Sequence, residues 1–312
     1  MNTPVANSIP LDATVIICAY TDERWSQLVD AIEAVQAQSQ PVRQIVVVID
    51  HNPALLARVK ERFPSVLAIE NAEEKGLSGA RNSGITAASS ATLIGFVDDD
   101  AVIEVDWLKN LSQIIAHDPL IMGAGGRIIP KWETDRPMWM PEEFYWVVGC
   151  THKGVPEQTA DVRNLVGANM LIRREVFDKV GGFRVGIGRV DAVPLGCEET
   201  ELCIRVRQAV PNARFVYDPN TVVHHSVPLK RTGWSYYRSR CYAEGLSKAL
   251  ISKIVGQKDG LASERTHALI TLPKGVIKGI SDAVLRGDRD GLKRAGAIVA
   301  GLMITTAGYI RG

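Results

Sequence analysis

Short apolar runs alternate with stretches of helical periodicity over the first hundred residues of the chain. Four runs are almost wholly apolar, which is typical of strands buried on both faces, at 14–19, 44–50, 66–69 and 91–97. Apolar positions recur every three or four residues over 24–37 and again over 54–63, and this spacing predicts two amphipathic helices. Strands that alternate with helices of this length favour βαβ units and a parallel sheet. We therefore expect an α/β fold.

Helical periodicity returns further along the chain, where the predicted strands contain more glycine. We predict strands at 122–129, 164–172 and 214–217, and helices with one apolar face at 107–116, 174–179, 198–207, 236–252 and 272–286. The segment 295–310 contains no charged residue but is shorter than the roughly 20 residues that a bilayer span requires. We interpret it as a helix that packs on the core or lies at an interface.

Charge is distributed unevenly along the chain. Residues 230–312 carry 15 Lys and Arg against 6 Asp and Glu, whereas the whole chain has a net charge of only +1. A basic C-terminal part favours an anionic partner, such as phosphate groups or a membrane surface, although a solvated basic face has the same pattern. We predict a flexible lead at 1–11, an α/β domain at 12–250, and a basic, amphipathic helical extension at 251–312.

Composition and cysteine usage narrow the class of protein. The chain is 46% hydrophobic and 23% charged, which is ordinary for a globular protein. Its five cysteines are widely spaced and include no Cys-x-x-Cys pair, which argues against a disulfide framework and a zinc site. The N-terminus has neither the basic nor the apolar region of a signal peptide. We therefore expect a cytoplasmic protein with free thiols.

The fourth apolar run ends abruptly in three carboxylates, Asp98, Asp99 and Asp100. Alternate side chains of an extended chain point the same way, so Asp98 and Asp100 are expected on one face and Asp99 on the other. Two carboxylates that converge at a strand end repel each other unless a cation lies between them. Hard oxygen ligands favour Mg²⁺ or Mn²⁺, and such a cation would hold phosphate oxygens.

The turn after the first strand excludes one common use of such a fold. A dinucleotide-binding dehydrogenase needs a Gly-x-Gly-x-x-Gly turn there, and residues 18–22 contain no glycine. Another glycine-containing stretch, 75–85, precedes the acidic run, and we predict that a helix begins within it at Ala80. The free N–H groups of that helix start, together with Arg81, could bind a diphosphate.

Two further stretches carry side chains suited to a sugar or phosphate. The aromatic and proline-rich residues 132–146 include Trp139 and Trp146, whose rings suit a sugar face or a lipid–water boundary, although a satellite core would look the same. Arg238 and Arg240, on the helix predicted at 236–252, could hold a diphosphate or a phosphate-bearing acceptor.

These motifs, in this order, resemble glycosyltransferase family 2 over roughly residues 12–250. The resemblance rests on a strand that ends in Asp50, on Gly-Leu-Ser-Gly-Ala-Arg-Asn-Ser-Gly at 76–84, and on Phe-Val-Asp-Asp-Asp at 96–100, and it continues through 167–170, 180–183, 198–205 and 225–228. Enzymes of this family have the GT-A fold, a Rossmann-like and mostly parallel central sheet flanked by helices. The resemblance thus implies a nucleotide-diphosphate sugar as donor and a divalent cation, Mn²⁺ or Mg²⁺.

The resemblance also assigns roles to individual residues. It implies nucleotide-sugar binding by Ala19, Tyr20, Asp50, Gly79, Arg81, Asn82, Asp98 and Asp99. It implies an acceptor cleft at Gly167, Ala168, Asn169 and Glu198, to which we add Trp139 and Trp146. Cation binding falls to Asp98, Asp100 and His225, because the family's third ligand is a His followed by x-Val-Pro. The family's general base is usually the Asp of a Glu-Asp pair, and Glu199 takes that place here with one more methylene.

The implied activity is inverting transfer of a sugar from a nucleotide diphosphate to an acceptor hydroxyl. The basic extension and the aromatic stretch favour a saccharide or lipid-linked saccharide acceptor, of the kind used in cell-envelope polysaccharide assembly. They also favour peripheral membrane contact through the C-terminal region, at the inner face of the cell membrane, and we expect no nucleic acid partner.

Two alternatives to a glycosyltransferase stay open. One is a sugar nucleotidyltransferase, which usually carries a basic Gly-rich loop after the first strand that is missing here. The other is a non-catalytic carbohydrate-binding protein on the same fold.

Overall fold

The computed structural model describes residues 12–88, 90–187, 196–256 and 266–312. The predicted lead at 1–11 lies outside these ranges, as does part of the predicted C-terminal extension, 257–265. Within the described residues one sheet contains β1 (Ala13–Ala19), β2 (Gln44–Ile49), β3 (Leu67–Glu70), β4 (Leu93–Asp98), β5 (Ala101–Ile103), β6 (Ile121–Trp132), β7 (Ala160–Val162), β8 (Met170–Arg173) and β9 (Arg214–Val227). The α-helices of the same ranges are α1 (Trp25–Gln36), α2 (Pro53–Arg62), α3 (Leu77–Ala87), α4 (Trp107–His117), α5 (Arg174–Val180), α6 (Glu198–Ala209), α7 (Trp234–Val255), α8 (Leu272–Arg286) and α9 (Arg289–Arg311).

The strand order is β3-β2-β1-β4-β8-β6-β9-β5, and β7 pairs with β9. β1 runs parallel to β2 and β4, and β2 runs parallel to β3, which confirms the parallel arrangement predicted for the first hundred residues. β8 is antiparallel to both of its neighbours, β4 and β6, whereas the long strands β6 and β9 are parallel. The carboxyl ends of β1, β2 and β4 therefore lie at one edge of the sheet.

Side chains of the central strands alternate between two hydrophobic cores. Val15 and Ile17 of β1 join the core that α1, α2 and α4 cover, whereas Ile16 joins the core that α3, α5 and α6 cover. Because helices cover both faces, the strands are apolar at nearly every position. α3 lies so close to β1 that a Cβ on Gly84 would be 2.6 Å from Cγ2 of Ile16, so this position requires glycine.

The predicted start of α3 is wrong by three residues. The helix begins at Leu77 and not at Ala80. Gly76 precedes it with φ of 127°, a conformation that glycine adopts without strain and that turns the chain directly into the helix. The consequence for the site is that the cavity is bordered by the first turn of α3, at Leu77 and Ala80, as well as by Arg81 in the next turn.

Two predicted strands also differ from the structure. The strand predicted at 164–172 pairs within the sheet only from Met170 onward. The side chain of Asn169, just before it, accepts a hydrogen bond from Nε1 of Trp107 at 2.7 Å, so this segment is fixed by side chains instead of a strand ladder. The runs 214–217 and 222–225, conversely, belong to the single strand β9, which is bulged between Asp218 and Val222.

The C-terminal part of the described chain is helical, as predicted. α8 and α9 form an antiparallel pair, and α9 packs along α7. α8 buries Leu272, Gly275 and Gly279 and leaves Ile277 and Val284 exposed. None of the helices in the described residues combines the length and apolarity needed to cross a bilayer.

Two other expectations concern the whole chain. All five cysteines are free, as the sequence predicts. α7 runs from Trp234 to Val255, straight through the predicted boundary at residue 250. The division into 12–250 and 251–312 therefore stays a prediction.

Candidate active site

A cavity of about 1070 Å³ opens at the carboxyl ends of the parallel strands. Tyr20 and Asp50, which follow β1 and β2, line it together with Asp98 at the end of β4. Other walls come from the start of α6, from one face of α7, and from α8 and α9. Ligands of open α/β sheets bind at this edge, so the cavity lies where the sequence predicts a site.

Asp98, Asp100 and His225 meet at one point of the cavity wall. One potential ligand atom from each residue lies within 4.8 Å of the other two. β4 ends at Asp98, the chain turns, and β5 then pairs with β9 so that Ala101 lies opposite His225. Nε2 of His225 is 3.1 Å from Oδ1 of Asp100. Strand pairing between distant parts of the chain thus assembles the residues that were predicted to bind a cation.

The chemistry of this group fits a divalent cation. Two carboxylates and one imidazole offer the oxygen and nitrogen ligands that suit Mn²⁺ or Mg²⁺. The side chain of Asp98 is 32% exposed, so one carboxylate is accessible from the cavity. His224 points to the other side of β9, where its Nε2 lies 3.2 Å from Glu104, as the alternation of side chains predicts.

Two arginines that sequence reasoning missed lie beside the acidic residues. Nη1 of Arg24 is 2.7 Å from Oδ1 of Asp99 and 3.3 Å from Oδ2 of Asp100. Nη2 of Arg231 is 3.6 Å from Oδ2 of Asp100. Arg24 just precedes α1, and Arg231 follows β9 in a short 3₁₀ turn. Arg231 lies close in sequence to the His225 motif, which could have suggested it. No comparable signal in the sequence points to Arg24.

These contacts determine where negative charge resides. Burial alone would raise the pKa of Asp100, but His225, Arg24 and Arg231 outweigh it and hold that pKa well below its usual range. Burial lowers the pKa of His225, and the Asp100 carboxylate outweighs this effect and raises it to about 10. Burial and the charge of Asp100 raise the pKa of Asp99 to about 7 despite Arg24. Asp100 is therefore more firmly ionised than Asp99, and of these two residues it is Asp100 that lines the cavity.

Asp50 lies at another part of the cavity, next to the first turn of α3. Its Oδ1 accepts a hydrogen bond from Nδ2 of Asn71 at 2.7 Å, and its Oδ2 accepts one from the backbone N–H of Gly76 at 2.9 Å. These donors fix the carboxylate in one orientation at the cavity wall. Ala19 and Tyr20 line the same part of the cavity. This end therefore brings together three of the residues predicted to hold the nucleotide sugar, Ala19, Tyr20 and Asp50.

Arg81 is a buried counter-charge between two acidic groups. Its side chain is only 3% exposed. Nη1 donates to Oε1 of Glu198 at 2.7 Å, and Nη2 lies 3.5 Å from Oδ1 of Asp98. Phe96 and Phe183 pack against the guanidinium. Two carboxylates thus contact the guanidinium, which supports a role for Arg81 in holding these acidic residues at the wall. Arg81 also lines the cavity, and its predicted contact with a diphosphate stays a prediction.

Glu199 differs from the other acidic residues at the site. It lies in the first turn of α6 and lines the cavity, yet its buried Oε2 atom has no hydrogen-bond partner among the described residues. Burial and the neighbouring Glu198 raise its pKa to about 8, with Arg81 opposing the shift. A carboxyl group in this state can accept and release a proton near neutral pH.

Five predicted site residues lie away from the cavity wall. Gly79 faces the carbonyl of Glu74, and a Cβ there would clash with it. The remaining four contact other parts of the protein: Asn82 the backbone of Phe183, Asp99 Arg24, Asn169 Trp107, and Trp139 the rings of Trp234 and Tyr237. These five residues hold the surroundings of the site in place. Each contacts a segment that either carries a residue of the cavity wall or packs behind such a residue.

The predicted acceptor cleft is only partly assembled at the wall. Gly167, Ala168, Glu198 and Trp146 line the cavity. Arg240 of α7 also lines it, whereas Arg238 is exposed on another face of the helix. A Cβ on Gly167 would lie about 3.1 Å from Cζ of Arg81, so glycine here lets the chain pass close to that guanidinium.

A family model described as glycosyl transferase family 2 matches residues 14–181 of the chain. The chain belongs to this family. Among curated relatives of this glycosyltransferase, the glucosyl-dolichyl phosphate glucuronosyltransferase of Haloferax volcanii is 30% identical over 250 residues, which is 79% of each protein. The succinoglycan biosynthesis protein ExoO of Rhizobium meliloti is 34% identical over 115 residues, 36% of this chain and 31% of that protein.

Two solved structures show the GT-A fold of this family 2 glycosyltransferase. The mannosyltransferase PcManGT of Pyrobaculum calidifontis, solved with GDP-Man and Mn²⁺, has a TM-score of 0.57 at 16% identity and covers 94% of this chain and 86% of its own. GalNAc-T7, solved with UDP, GalNAc and Mn²⁺, has a TM-score of 0.54 at 16% identity. The match covers 82% of this chain but only about half, 55%, of GalNAc-T7. The predicted fold and enzyme class are confirmed.

Proposed function

We propose that this glycosyltransferase moves a sugar from a nucleotide diphosphate to an acceptor hydroxyl with inversion at the anomeric carbon. The observation that carries the proposal is that a cation-binding group and a carboxyl suited to proton transfer line one cavity. Asp98, Asp100 and His225 would hold Mn²⁺ or Mg²⁺, which acts as a Lewis acid on the departing diphosphate. Solved relatives that contain Mn²⁺ with UDP or GDP-Man support this choice of cation and donor.

The chain's own residues divide the remaining work. Asp50 would accept a hydrogen bond from the nucleobase, since its carboxylate is held in place at the cavity wall by Asn71 and Gly76. Glu199 would take the proton from the acceptor hydroxyl as that oxygen attacks. Attack from the side opposite the diphosphate inverts the anomeric carbon. Because Oε2 of Glu199 is buried, bulk water would have limited access to the base, which would otherwise promote hydrolysis of the donor.

The experiment for this proposal is a thermal-shift screen of nucleotide sugars with and without Mn²⁺. The correct donor should raise the midpoint of unfolding by about 2 °C or more, and only when the cation is present. Incubation of that donor with candidate acceptors should then release the nucleoside diphosphate. Release of pyrophosphate from a nucleoside triphosphate would instead identify a nucleotidyltransferase. Binding of saccharides alone, without turnover of any donor, would identify a carbohydrate-binding protein.

A lipid-linked saccharide is the acceptor class that we propose. One support is the relative from Haloferax volcanii, whose name describes a glucosyl-dolichyl phosphate glucuronosyltransferase. The other is a surface that we call the α8–α9 apolar face, formed by exposed residues on both helices: Ile277, Ile280, Val284, Leu285, Leu292, Val299, Met303 and Ile310. Basic residues flank it, including Lys274, Lys278, Arg286 and Lys293. Apolar and basic side chains on one face suit the surface of an anionic membrane. The contact that we propose is with the inner face of the cell membrane.

Co-sedimentation with lipid vesicles tests this contact. The protein should bind vesicles that contain phosphatidylglycerol more strongly than vesicles of phosphatidylcholine alone, because anionic lipid attracts the basic side chains. The double variant Val284→Glu, Met303→Glu should lose most of this binding. Val105→Glu places a charge on an exposed apolar residue of the α/β domain and is the matched control. Equal binding by all three proteins would contradict membrane contact through α8 and α9.

A further inference from the structure

One face of α7 forms a wall of the cavity that the proposed chemistry does not use. Residues one helical turn apart line it, namely Tyr236, Arg240, Glu244 and Lys248. Nζ of Lys248 lies 3.4 Å from Oε1 of Glu244. Residues four apart on a helix share one face, so two cationic side chains and one carboxylate follow one another along this wall.

This wall lies close to the carboxyl proposed as the base. Sγ of Cys197 donates a hydrogen bond to Oε1 of Glu244 at 3.5 Å. Cys197 directly precedes α6, whose first two residues are Glu198 and Glu199. Arg240 and Lys248 therefore lie about one helical turn, roughly 5 to 6 Å, on either side of the point where α7 meets the start of α6.

Where the cavity meets the C-terminal helices, its wall combines apolar side chains with Thr266, His267 and Thr305. Leu272 of α8 and Leu302 of α9 line the cavity. Leu302 is also 39% exposed, and Leu269, just before α8, is 76% exposed. Leu302 directly precedes Met303 of the α8–α9 apolar face, so α9 brings the cavity wall and that face next to each other.

We infer that this end of the cavity is a subsite for a prenyl-type lipid phosphate. Arg240 and Lys248 hold the phosphate, and the apolar chain leaves the cavity past Leu272 and Leu302 to the α8–α9 apolar face. The inference rests on the proposed lipid-linked acceptor and adds where its phosphate and chain lie. A phosphate held between these two cations lies where α7 meets the start of α6, and would present the attached sugar to Glu199. Two cations one turn to either side of Glu244 suit a phosphate, and the leucines suit a chain without polar groups.

Calorimetric titration of the full chain with farnesyl phosphate tests the subsite. Farnesol and inorganic phosphate serve as separate probes, because they carry only the chain or only the anion. Farnesyl phosphate should bind at least about tenfold more tightly than either, since only it contacts both parts of the wall. Equal affinity for inorganic phosphate would assign the cations to a free phosphate or to the donor. Equal affinity for farnesol would leave the apolar wall without a phosphate site.

Matched variants separate the two contacts. Arg240→Gln should weaken farnesyl phosphate about tenfold and leave farnesol unchanged, whereas Arg238→Gln, which removes an exposed charge from the same helix, should change neither. Leu302→Glu should weaken both lipids, whereas Val105→Glu, at an exposed apolar residue of the α/β domain, should not. If Arg240→Gln behaves as Arg238→Gln does, or Leu302→Glu as Val105→Glu does, the subsite is refuted. A Mn²⁺-dependent thermal shift with the nucleotide sugar reports the proposed function separately, because it needs no acceptor.

Discussion

Two acidic groups share the cavity, and they are built in opposite ways. At the end of β4, Asp100 has His225, Arg24 and Arg231 within 3.6 Å. At the start of α6, Arg81 pairs with Glu198, and the adjacent Glu199 retains a buried oxygen without a hydrogen-bond partner among the described residues. Both groups are largely buried, so burial itself does not separate them. The two groups differ in how many positively charged side chains lie next to the carboxyl.

This difference in positive charge assigns a task to each group. A buried carboxyl surrounded by cations stays ionised, so Asp100 offers a permanent negative charge to a metal ion. A buried carboxyl beside another acid favours its protonated form, so Glu199 can change its protonation state during a reaction. Binding and proton transfer need these opposite properties.

Asp100→Asn should remove the permanent charge and abolish cation binding. We expect kcat/KM to fall by about 10³-fold or more, because the stabilisation of the leaving diphosphate by a metal ion is worth several kcal/mol. Mn²⁺ affinity measured by electron paramagnetic resonance should fall in parallel. Asp178→Asn, on the exposed side of α5, is the control and should change neither quantity. Wild-type Mn²⁺ affinity in the Asp100 variant would remove this residue from the cation site.

Glu199→Gln should stop transfer but preserve binding of the donor. A general base contributes roughly 10²- to 10⁴-fold, so we expect kcat to fall by at least about 10²-fold. The thermal shift caused by Mn²⁺ and the nucleotide sugar should stay as in the wild type. Glu199→Asp keeps a carboxylate, shortened by one methylene, and should retain more activity than the glutamine variant. Should Glu199→Gln transfer sugar at the wild-type rate, the base lies elsewhere.

The pH dependence of activity should reflect the pKa of Glu199, which is about 8. The base works when deprotonated, so kcat/KM should rise about tenfold per pH unit below pH 8 and level off above it. Glu199→Gln should lack this rise in its residual activity. A wild-type profile that is flat between pH 6 and about 8 would argue against a raised pKa at this carboxyl.

The same pKa predicts an opposite trend in stability. The pKa of Glu199 in the folded protein is raised above the ordinary value of 4.5, so the folded state binds more protons between pH 4.5 and about 8. The contribution of this group to the free energy of unfolding is therefore complete at low pH and is lost as the pH rises through 8. Urea unfolding at several pH values should show a smaller decline for Glu199→Gln than for the wild type.

Cys150→Ala should weaken the cation site modestly. Sγ of Cys150 lies 4.0 Å from Nδ1 of His225, on the ring edge away from Asp100. A partner of this kind orients a metal-binding imidazole, and its loss typically weakens metal affinity about tenfold. Cys150→Ser keeps a polar atom at this position and should bind Mn²⁺ nearly as the wild type does. Identical affinities for the alanine and wild-type proteins would limit Cys150 to packing.

Much of the fold follows from local patterns. The apolar runs of β1, β2 and β4 and the periodicity of α1, α2 and α4 are strong because helices cover both faces of the sheet. The errors arise where contacts distant in sequence decide the outcome. Asn169 lies outside β8 because Trp107, 62 residues away, occupies its side chain. The start of α3 depends on the unusual φ of Gly76, which residue spacing does not reveal.

The candidate site was predictable only where its residues form motifs. Asp98, Asp100, Glu199 and His225 were selected because each belongs to a recognisable stretch of sequence. Arg24 and Arg231 were missed, because a surface arginine and an arginine directed at Asp100 look alike in sequence. The contact of Arg81 with Glu198 is not visible in the sequence, because it depends on how α3 and α6 pack.

The bulge in β9 has a consequence for which histidine meets Asp100. β9 advances four residues, from Asp218 to Val222, while β6 advances one, from Gly126 to Arg127. Side chains of a strand alternate, so an extra residue or a missing one in this bulge would turn His224 inward and His225 outward. Which of two neighbouring histidines can serve as the candidate metal ligand is thus governed by whether the number of residues in a small kink upstream is odd or even.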